Sequence, residues 1–487
     1  MSDLHHDHLY IGGAWVAPAT DARISVISPL TEAELGSTPE GAPADIDAAV
    51  IAARGALDGD WGRSTAAERA DVIDRLYALF LERSDDLANL ITAEVGSPLL
   101  FSHFGQVGAT GMALDYFAKL TRSFAFEEVR PGMMGPALVR HEPVGVCAGI
   151  VPWNVPLFIS ILKLAPALAS GSTIVLKPAP ETPLSANALA QMCIDAGVPD
   201  GVVNIVPAGR ETGQHLVTHP DVDKVSFTGS TAAGRKIGAA CGELLRRCTL
   251  ELGGKSAAII CDDADLDAIM PELIAASTMN NGQACVAQTR ILATRNRYDE
   301  VVEALTEAVA AIPVGDPANM ETGCGPLIAE RQRERVEGYI QAGRDEGARL
   351  TTGGGRPEGL DRGWFVEPTV FADVDNSMRI AQEEIFGPVL AVIAVDDADD
   401  AVRVANDSAY GLSGTVWTAD ADAGLDIARK VRTGTYTVNG FAMEWGAPFG
   451  GFKDSGVGRE LGPEGLAAYL ESKTINLPAG TEPTLAY

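Results

Sequence analysis

Between residues 146 and 252, apolar positions come as short unbroken runs separated by longer stretches with helical spacing. The runs are 146–152, 173–177, 203–207, 224–228 and 248–252; the stretches between them are 157–169, 184–196, 212–217 and 232–240. Such alternation predicts a parallel sheet with both faces covered by helices. Open sheets of this kind take ligands beyond the carboxyl ends of their strands. Lys177, Ser230 and Glu251 all fall at those predicted ends. The second half repeats the style, with strand-like runs at 290–294, 365–370, 389–395, 414–418 and 435–439 and helices at 299–311, 330–346, 398–406 and 422–431. Before residue 146 the texture is helical at 45–57, 66–83 and 105–120, followed by a hairpin of 124–129 and 137–141 around a turn at 131–135. A lone hairpin is only marginally stable in water, so this one is expected to pack on something else. The tail at 470–477 is also strand-like.

At 487 residues, 46% of them hydrophobic, the chain is expected to hold at least two domains with large cores. The formal net charge of −29 disfavours nucleic acid and anionic membranes as partners. No charge-free apolar run approaches the ~20 residues of a membrane span. The N-terminus, with Asp3 and Asp7, does not read as a signal peptide. His5, His6 and His8 read as a flexible tail rather than a metal site. Seven scattered cysteines without paired spacing fit a reduced, cytoplasmic chain and no structural zinc. Gly353-Gly354-Gly355 lacks the Lys and Ser/Thr of a phosphate-binding P-loop.

Three residues carry candidate chemistry. Glu251 opens the run Glu251-Leu252-Gly253-Gly254-Lys255, and Cys285 closes Asn281-Gly282-Gln283-Ala284-Cys285. Asn154, in Pro152-Trp153-Asn154, offers a side-chain amide. A nucleophilic thiol, a carboxylate base and an oxyanion donor together suit covalent chemistry at a carbonyl. The other six cysteines, Cys147, Cys193, Cys241, Cys248, Cys261 and Cys324, are expected to act as small apolar residues. Phe227-Thr228-Gly229-Ser230 followed by Gly234 places a strand end, a glycine turn and a helix start in sequence. A helix N-terminus suits a phosphate, although Ser230 also fits a plain helix cap.

These segments, together with Lys177-Pro178-Ala179, Glu383-Glu384-Ile385-Phe386-Gly387-Pro388 and Pro448-Phe449-Gly450-Gly451, resemble the aldehyde dehydrogenase superfamily in order and spacing from about Tyr10 to about Ser472. The resemblance implies an α/β fold: a Rossmann-like cofactor domain at 1–121 and 144–253, with 454–469 returning to it, an α/β catalytic domain at 254–453, and a small β oligomerisation element at 122–143 and 470–487. It implies a homodimer or homotetramer.

The implied reaction is NAD(P)-dependent oxidation of an aldehyde to a carboxylic acid. Cys285 attacks the carbonyl, Asn154 and the Cys285 backbone N–H hold the oxyanion, and Glu251 activates the water that hydrolyses a thioester. Lys163 and Glu460 are implied as orienting groups or a proton path, against the plainer readings of a helix lysine and a salt-bridge carboxylate. Implied cofactor contacts are Trp153, Lys177, Gly229, Ser230, Gly234, Leu252, Glu384 and Phe386. Pro180 departs from the glutamate that many NAD-preferring members carry there, which leaves NADP open; NAD is favoured because no further basic residue adjoins Lys177 in sequence. Val155, Phe158, Ile159 and Leu162 are expected to wall the substrate pocket on one side and the segment from Phe441 to Trp445 on the other. With no Arg or Lys anchor there, an apolar aliphatic, aromatic or terpenoid aldehyde is expected. Glu444 beside Trp445 leaves an amino aldehyde as the alternative, in a segment, 440–447, whose length differs from many relatives. A CoA-acylating dehydrogenase and an inactive binding protein are the further alternatives; Glu251 speaks against the first and the retained motifs against the second.

Overall fold

A computed structural model describes residues 4–485. The expectations touching residues 1–3 and 486–487, Asp3 and the ends of the first and last segments among them, lie outside the described residues.

The strands Val146–Ile150, Thr173–Lys177, Val203–Ile205, Lys224–Thr228 and Arg247–Glu251 form the parallel centre of an eight-stranded sheet. Every residue of the first four is buried, as their unbroken apolar runs require. Antiparallel strands Leu9–Ile11 and Ala14–Val16 close one edge and Gly456–Val457 the other. Going outward from Val146–Ile150, later strands add first to one side and then to the other. The order therefore reverses between Val146–Ile150 and Lys224–Thr228, the kind of point where such sheets bind ligands. Register makes the strand ends level: Ile150 pairs with both Lys177 and Phe227, and Thr228 pairs with Glu251.

A seven-stranded sheet holds the second half, with Ala257–Ile260 central between Arg290–Thr294 and Gly414–Trp417. That central strand was not foreseen, because its Ala-Ala pair lacks the β-branched signature at its start. The helix Leu266–Thr278 was also missed; Pro271 interrupts its pattern. The run expected at 365–370 forms instead as Thr369–Ala372, beginning after Pro368, which has no N–H to give a ladder. Only Thr437–Val438 of the run expected at 435–439 is strand.

The hairpin forms as Glu127–Arg130 with Ala137–Pro143, and the tail strand Leu470–Asn476 pairs along the whole of Ala137–Pro143. That third strand is what the marginal hairpin packs on. Met133 and Met134, in the turn, are almost fully exposed. The expected helix at 105–120 begins as a π-helical turn, Ser102–Gly108, and continues as Ala109–Ser123. The histidine segment is not a loose tail. His5 bridges Ser37, His6 N donates to Ser37 O at 2.8 Å, and the His6 ring stacks on Trp15. Among the described residues no group of three metal-ligating side chains gathers, and no helix is long and apolar enough to cross a membrane.

Candidate active site

Cys285 reaches its position through a strained turn. Asn280, Asn281 and Gly282 are consecutive left-handed residues, at φ 52°, 61° and 73°. Asparagine and glycine tolerate this region best, and strain of this kind persists where surroundings hold it. Here the holder is the buried Asn281 side chain. It accepts from Gly325 N at 2.7 Å and donates to the Gly96 and Pro326 carbonyls, both at 2.9 Å. Asn280 Nδ2 donates to the Asn154 carbonyl at 2.9 Å.

The Asn154 side chain comes from the loop after Val146–Ile150 and is 6% exposed. Its Nδ2 donates to the Gln283 carbonyl at 2.9 Å. An amide nitrogen carries two hydrogens, so one fixes the amide beside the loop that leads to Cys285 and the second makes no hydrogen bond among the described residues. A Cβ on Gly254 would overlap the Cys285 carbonyl oxygen, which explains why the glutamate motif needs glycine there. Burial, with the nearby Glu384 and Glu251 carboxylates, pushes the Cys285 thiol up to about 12.

Glu251 is 3% exposed, and neither oxygen has a well-formed hydrogen bond among the described residues. Burial, then repulsion from Glu460, raises its carboxyl well above the ordinary range; Lys163 and Arg459 partly offset this. Lys163 Nζ donates to Glu460 Oε1 and to Thr228 Oγ1, both at 2.8 Å. Lys163 is therefore not a plain helix residue, and the salt-bridge partner of Glu460 is Lys163 itself.

Two cavities flank these groups. One of about 730 Å³ lies at the strand ends and is lined by Lys177, Ser230, Arg210, Gln214 and Lys236. Lys177 Nζ donates to the Pro178 and Ala208 carbonyls at 3.0 and 2.8 Å. Ser230 does cap its helix, accepting from Ala233 N at 3.4 Å, and still faces this cavity. Gly229 N donates to the Glu251 carbonyl at 3.0 Å. A Cβ on Gly234 would collide with Leu252. Pro180 is not on the lining. Arg210 and Lys236 correct the view that no further base adjoins Lys177: they are distant in sequence and come from neighbouring helices, Arg210–Thr218 and Thr231–Glu243. Toward Cys285, Glu384 Oε1 accepts from Gly254 N at 2.9 Å, burial raises its carboxyl, and Phe386 meets Trp153 edge-on at 5.3 Å.

The second cavity, about 310 Å³, begins at Val286 beside Cys285 and is walled by Tyr436, Phe441, Met443, Glu444 and Phe449. Of the wall expected from Phe441 to Trp445, the stretch Phe441 to Glu444 lines it. Val155, Phe158, Ile159, Leu162 and Trp445 belong to the adjoining apolar cluster that also holds Cys285, where Phe158 meets Trp445 at 5.8 Å. Tyr436 and Phe449, outside the expected wall segment, were not foreseen as lining residues. The Asn-Asn-Gly turn signal before Gln283 was the legible trace of the strained anchor.

The aldehyde dehydrogenase family model matches residues 15–475. The chain belongs to that family. It is 48% identical over 476 residues to geranial dehydrogenase of Castellaniella defragrans, spanning 97% of this chain and 99% of that one. An NAD+ complex of a Mycobacterium tuberculosis aldehyde dehydrogenase superposes with a TM-score of 0.97 at 52% identity, over 99% of this chain and 100% of that one. A Pseudomonas syringae aldehyde dehydrogenase variant, in complex with NAD+ and octanal, gives 0.95 at 41% identity, over 98% of each chain. This aldehyde dehydrogenase is an oxidoreductase.

Proposed function

We propose that this dehydrogenase oxidises an apolar aldehyde, aliphatic or terpenoid, to the carboxylic acid with NAD. The carrying observation is the placement of Cys285 between the Asn154–Gln283 clamp and a cavity whose walls are Tyr436, Phe441, Met443 and Phe449. The geranial-oxidising and octanal-bound relatives support the choice of substrate class.

The larger cavity, with Lys177 and the Ser230 helix end, fits an adenosine pyrophosphate. Trp153, Leu252, Glu384 and Phe386 would hold the nicotinamide half. The chemistry the nicotinamide would supply there is acceptance of the hydride. Cys285 adds to the aldehyde carbon once its thiol has lost its proton. The free Asn154 N–H and the Cys285 backbone N–H stabilise the resulting oxyanion. Glu251, whose raised carboxyl suits a base near neutral pH, takes a proton from the water that cleaves the thioester. The Lys163–Glu460 pair sets the charge behind Glu251.

Arg210 and Lys236 favour tolerance of a 2′-phosphate, so NADP is expected to serve as a poorer second cofactor. Glu444, the one carboxylate on the smaller cavity's wall among the described residues, supports a cationic amino aldehyde as the second reading. We also propose that the two large sheets are the cofactor and catalytic domains and that the three-stranded sheet mediates a homo-oligomer. The reduced cysteines favour the cytoplasm.

Reduced-cofactor formation at 340 nm tests the reading, using aliphatic, terpenoid, aromatic and amino aldehydes with NAD and NADP. Turnover without CoA, absent in Cys285→Ala and reduced to a single burst in Glu251→Gln, is expected. Turnover only after CoA is added would replace it with the acylating reaction. Failure with every pair would leave a binding protein.

A further inference from the structure

The wall of the smaller cavity hangs from two unequal supports. At its far end Phe449 and Glu460 exchange backbone hydrogen bonds, both at 2.7 Å, and Gly462 N donates to the Trp445 carbonyl at 3.1 Å. That support is backbone on backbone. At the near end the short strand Thr437–Val438 runs beside Gly414–Trp417, and Asn439 N extends the pairing by donating to the Val416 carbonyl at 2.8 Å. Asn439 is left-handed, at φ 52°. Its side-chain amide accepts from Thr418 N at 2.9 Å and donates to the Thr418 carbonyl at 2.8 Å. Gly440 follows at φ 149°, in a region that favours glycine. At these two residues the chain turns off the sheet, and from Phe441 it is the cavity wall.

A side chain from elsewhere catches it there. Phe441 N donates to Glu272 Oε1 at 3.0 Å, across 169 residues of sequence. A Cβ on Gly440 would lie 2.9 Å from the same oxygen, so the carboxylate is seated against the turn. The next amide, Ala442 N, reaches Thr437 Oγ1 only at 3.5 Å. Glu272 stands in the helix Leu266–Thr278, whose C-terminal end runs directly into the strained turn at Asn280–Gly282 and so to Cys285. Just past the nucleophile, Gln288 N returns to this helix by donating to the Ala276 carbonyl at 3.1 Å. One helix therefore frames both the nucleophile loop and the start of the cavity wall.

We propose that Glu272 is a positioning residue that fixes the span between Cys285 and the wall from Phe441 to Glu444, and so sets which aldehydes fit. The assignment rests on the reading that this cavity takes the aldehyde. Glu272 acts through the Phe441 N–H rather than on the substrate. Because the partner is a backbone donor, what the position needs is an acceptor. Glutamine supplies one and alanine does not. A short aldehyde engages Cys285 and Val286 without reaching the wall, whereas a long one lies against Phe441 and Met443. The effect of the pin thus grows with chain length.

Steady-state kinetics with propanal and octanal, in wild type, Glu272→Ala and Glu272→Gln, test this. In Glu272→Ala the octanal KM is expected to rise about fivefold, the scale of one lost hydrogen bond. The propanal KM, the NAD KM and kcat at saturation should stay close to wild type. Glu272→Gln should keep the wild-type octanal KM. Hydrogen–deuterium exchange, which needs no turnover, should show residues 440–447 opening faster in Glu272→Ala and not in Glu272→Gln. An octanal KM unmoved in Glu272→Ala, an equal rise for propanal, or glutamine behaving as alanine does would overturn the assignment. Unchanged exchange across 440–447 would do the same. A wild type without turnover on any aldehyde would instead sink the reading of the cavity as the substrate site, and this assignment with it.

Discussion

Lys163 Nζ sits 2.8 Å from Glu460 Oε1, with the two side chains 0% and 2% exposed, directly behind the candidate base Glu251. The pair acts on Glu251 with opposite signs: Glu460 raises its carboxyl and Lys163 lowers it. Glu460→Gln is therefore expected to move the acid limb of the hydrolytic step to lower pH, and Lys163→Met to higher pH. Single-turnover thioester hydrolysis against pH reads both. Shifts in the same direction would end the electrostatic assignment. Each single variant should also lose about 3–5 kcal/mol of stability, because it leaves a buried charge unpaired.

In the cofactor-free protein the Cys285 thiol is held up to about 12. Its thiolate fraction grows as pH rises toward that value. Alkylation by iodoacetamide should accelerate without a plateau from pH 7 to pH 10, and added NAD should raise the rate at neutral pH. A plateau near pH 8 in the free protein would contradict the arrangement of Glu384 and Glu251 around the sulfur.

Asn154 has one N–H bonded to Gln283 and a second available. Asn154→Ala is expected to lower kcat by ~10²–10³, with the cofactor KM little changed. Steady-state kinetics with a saturating aldehyde decides. An equal loss in cofactor affinity would mean that the residue supports the loop rather than the oxyanion.

Lys255 is 2% exposed, and its ammonium has no partner among the described residues. Burial lowers it from 10.5 to about 7. Between those values the unfolded chain binds more protons, so this group's penalty on folding deepens as pH falls from 10.5 to 7 and is constant below. Lys255→Met should raise stability by about 1–3 kcal/mol near pH 7, and the gain should vanish toward pH 10.5. Urea denaturation at the two extremes tests this. A gain independent of pH would show packing, not charge.

The parallel centre of the first sheet was legible because its strands are unbroken apolar runs, and Lys177, Ser230 and Glu251 followed from their ends. Legibility failed where small residues hid a strand, as at Ala257 and Ala258, or where Pro271 crossed a helix. It also failed where a site is assembled across distance. Arg210 and Lys236 approach Lys177 only through two packed helices, and nothing local to Lys177 announces them. The clasp of Asn281 on Gly96 and Pro326 has the same character. Side-chain hydrogen bonds spanning 185 and 45 residues leave no periodic trace.

The tail strand Leu470–Asn476 completes a sheet whose other two strands lie more than 300 positions earlier. During synthesis the hairpin leaves the ribosome long before its third strand exists. Until Leu470–Asn476 emerges it is a two-stranded ribbon with an unpaired edge along Ala137–Pro143, open to any extended segment nearby. A chain that lacks Leu470–Asn476 thus carries an adhesive edge along Ala137–Pro143 that this strand otherwise covers.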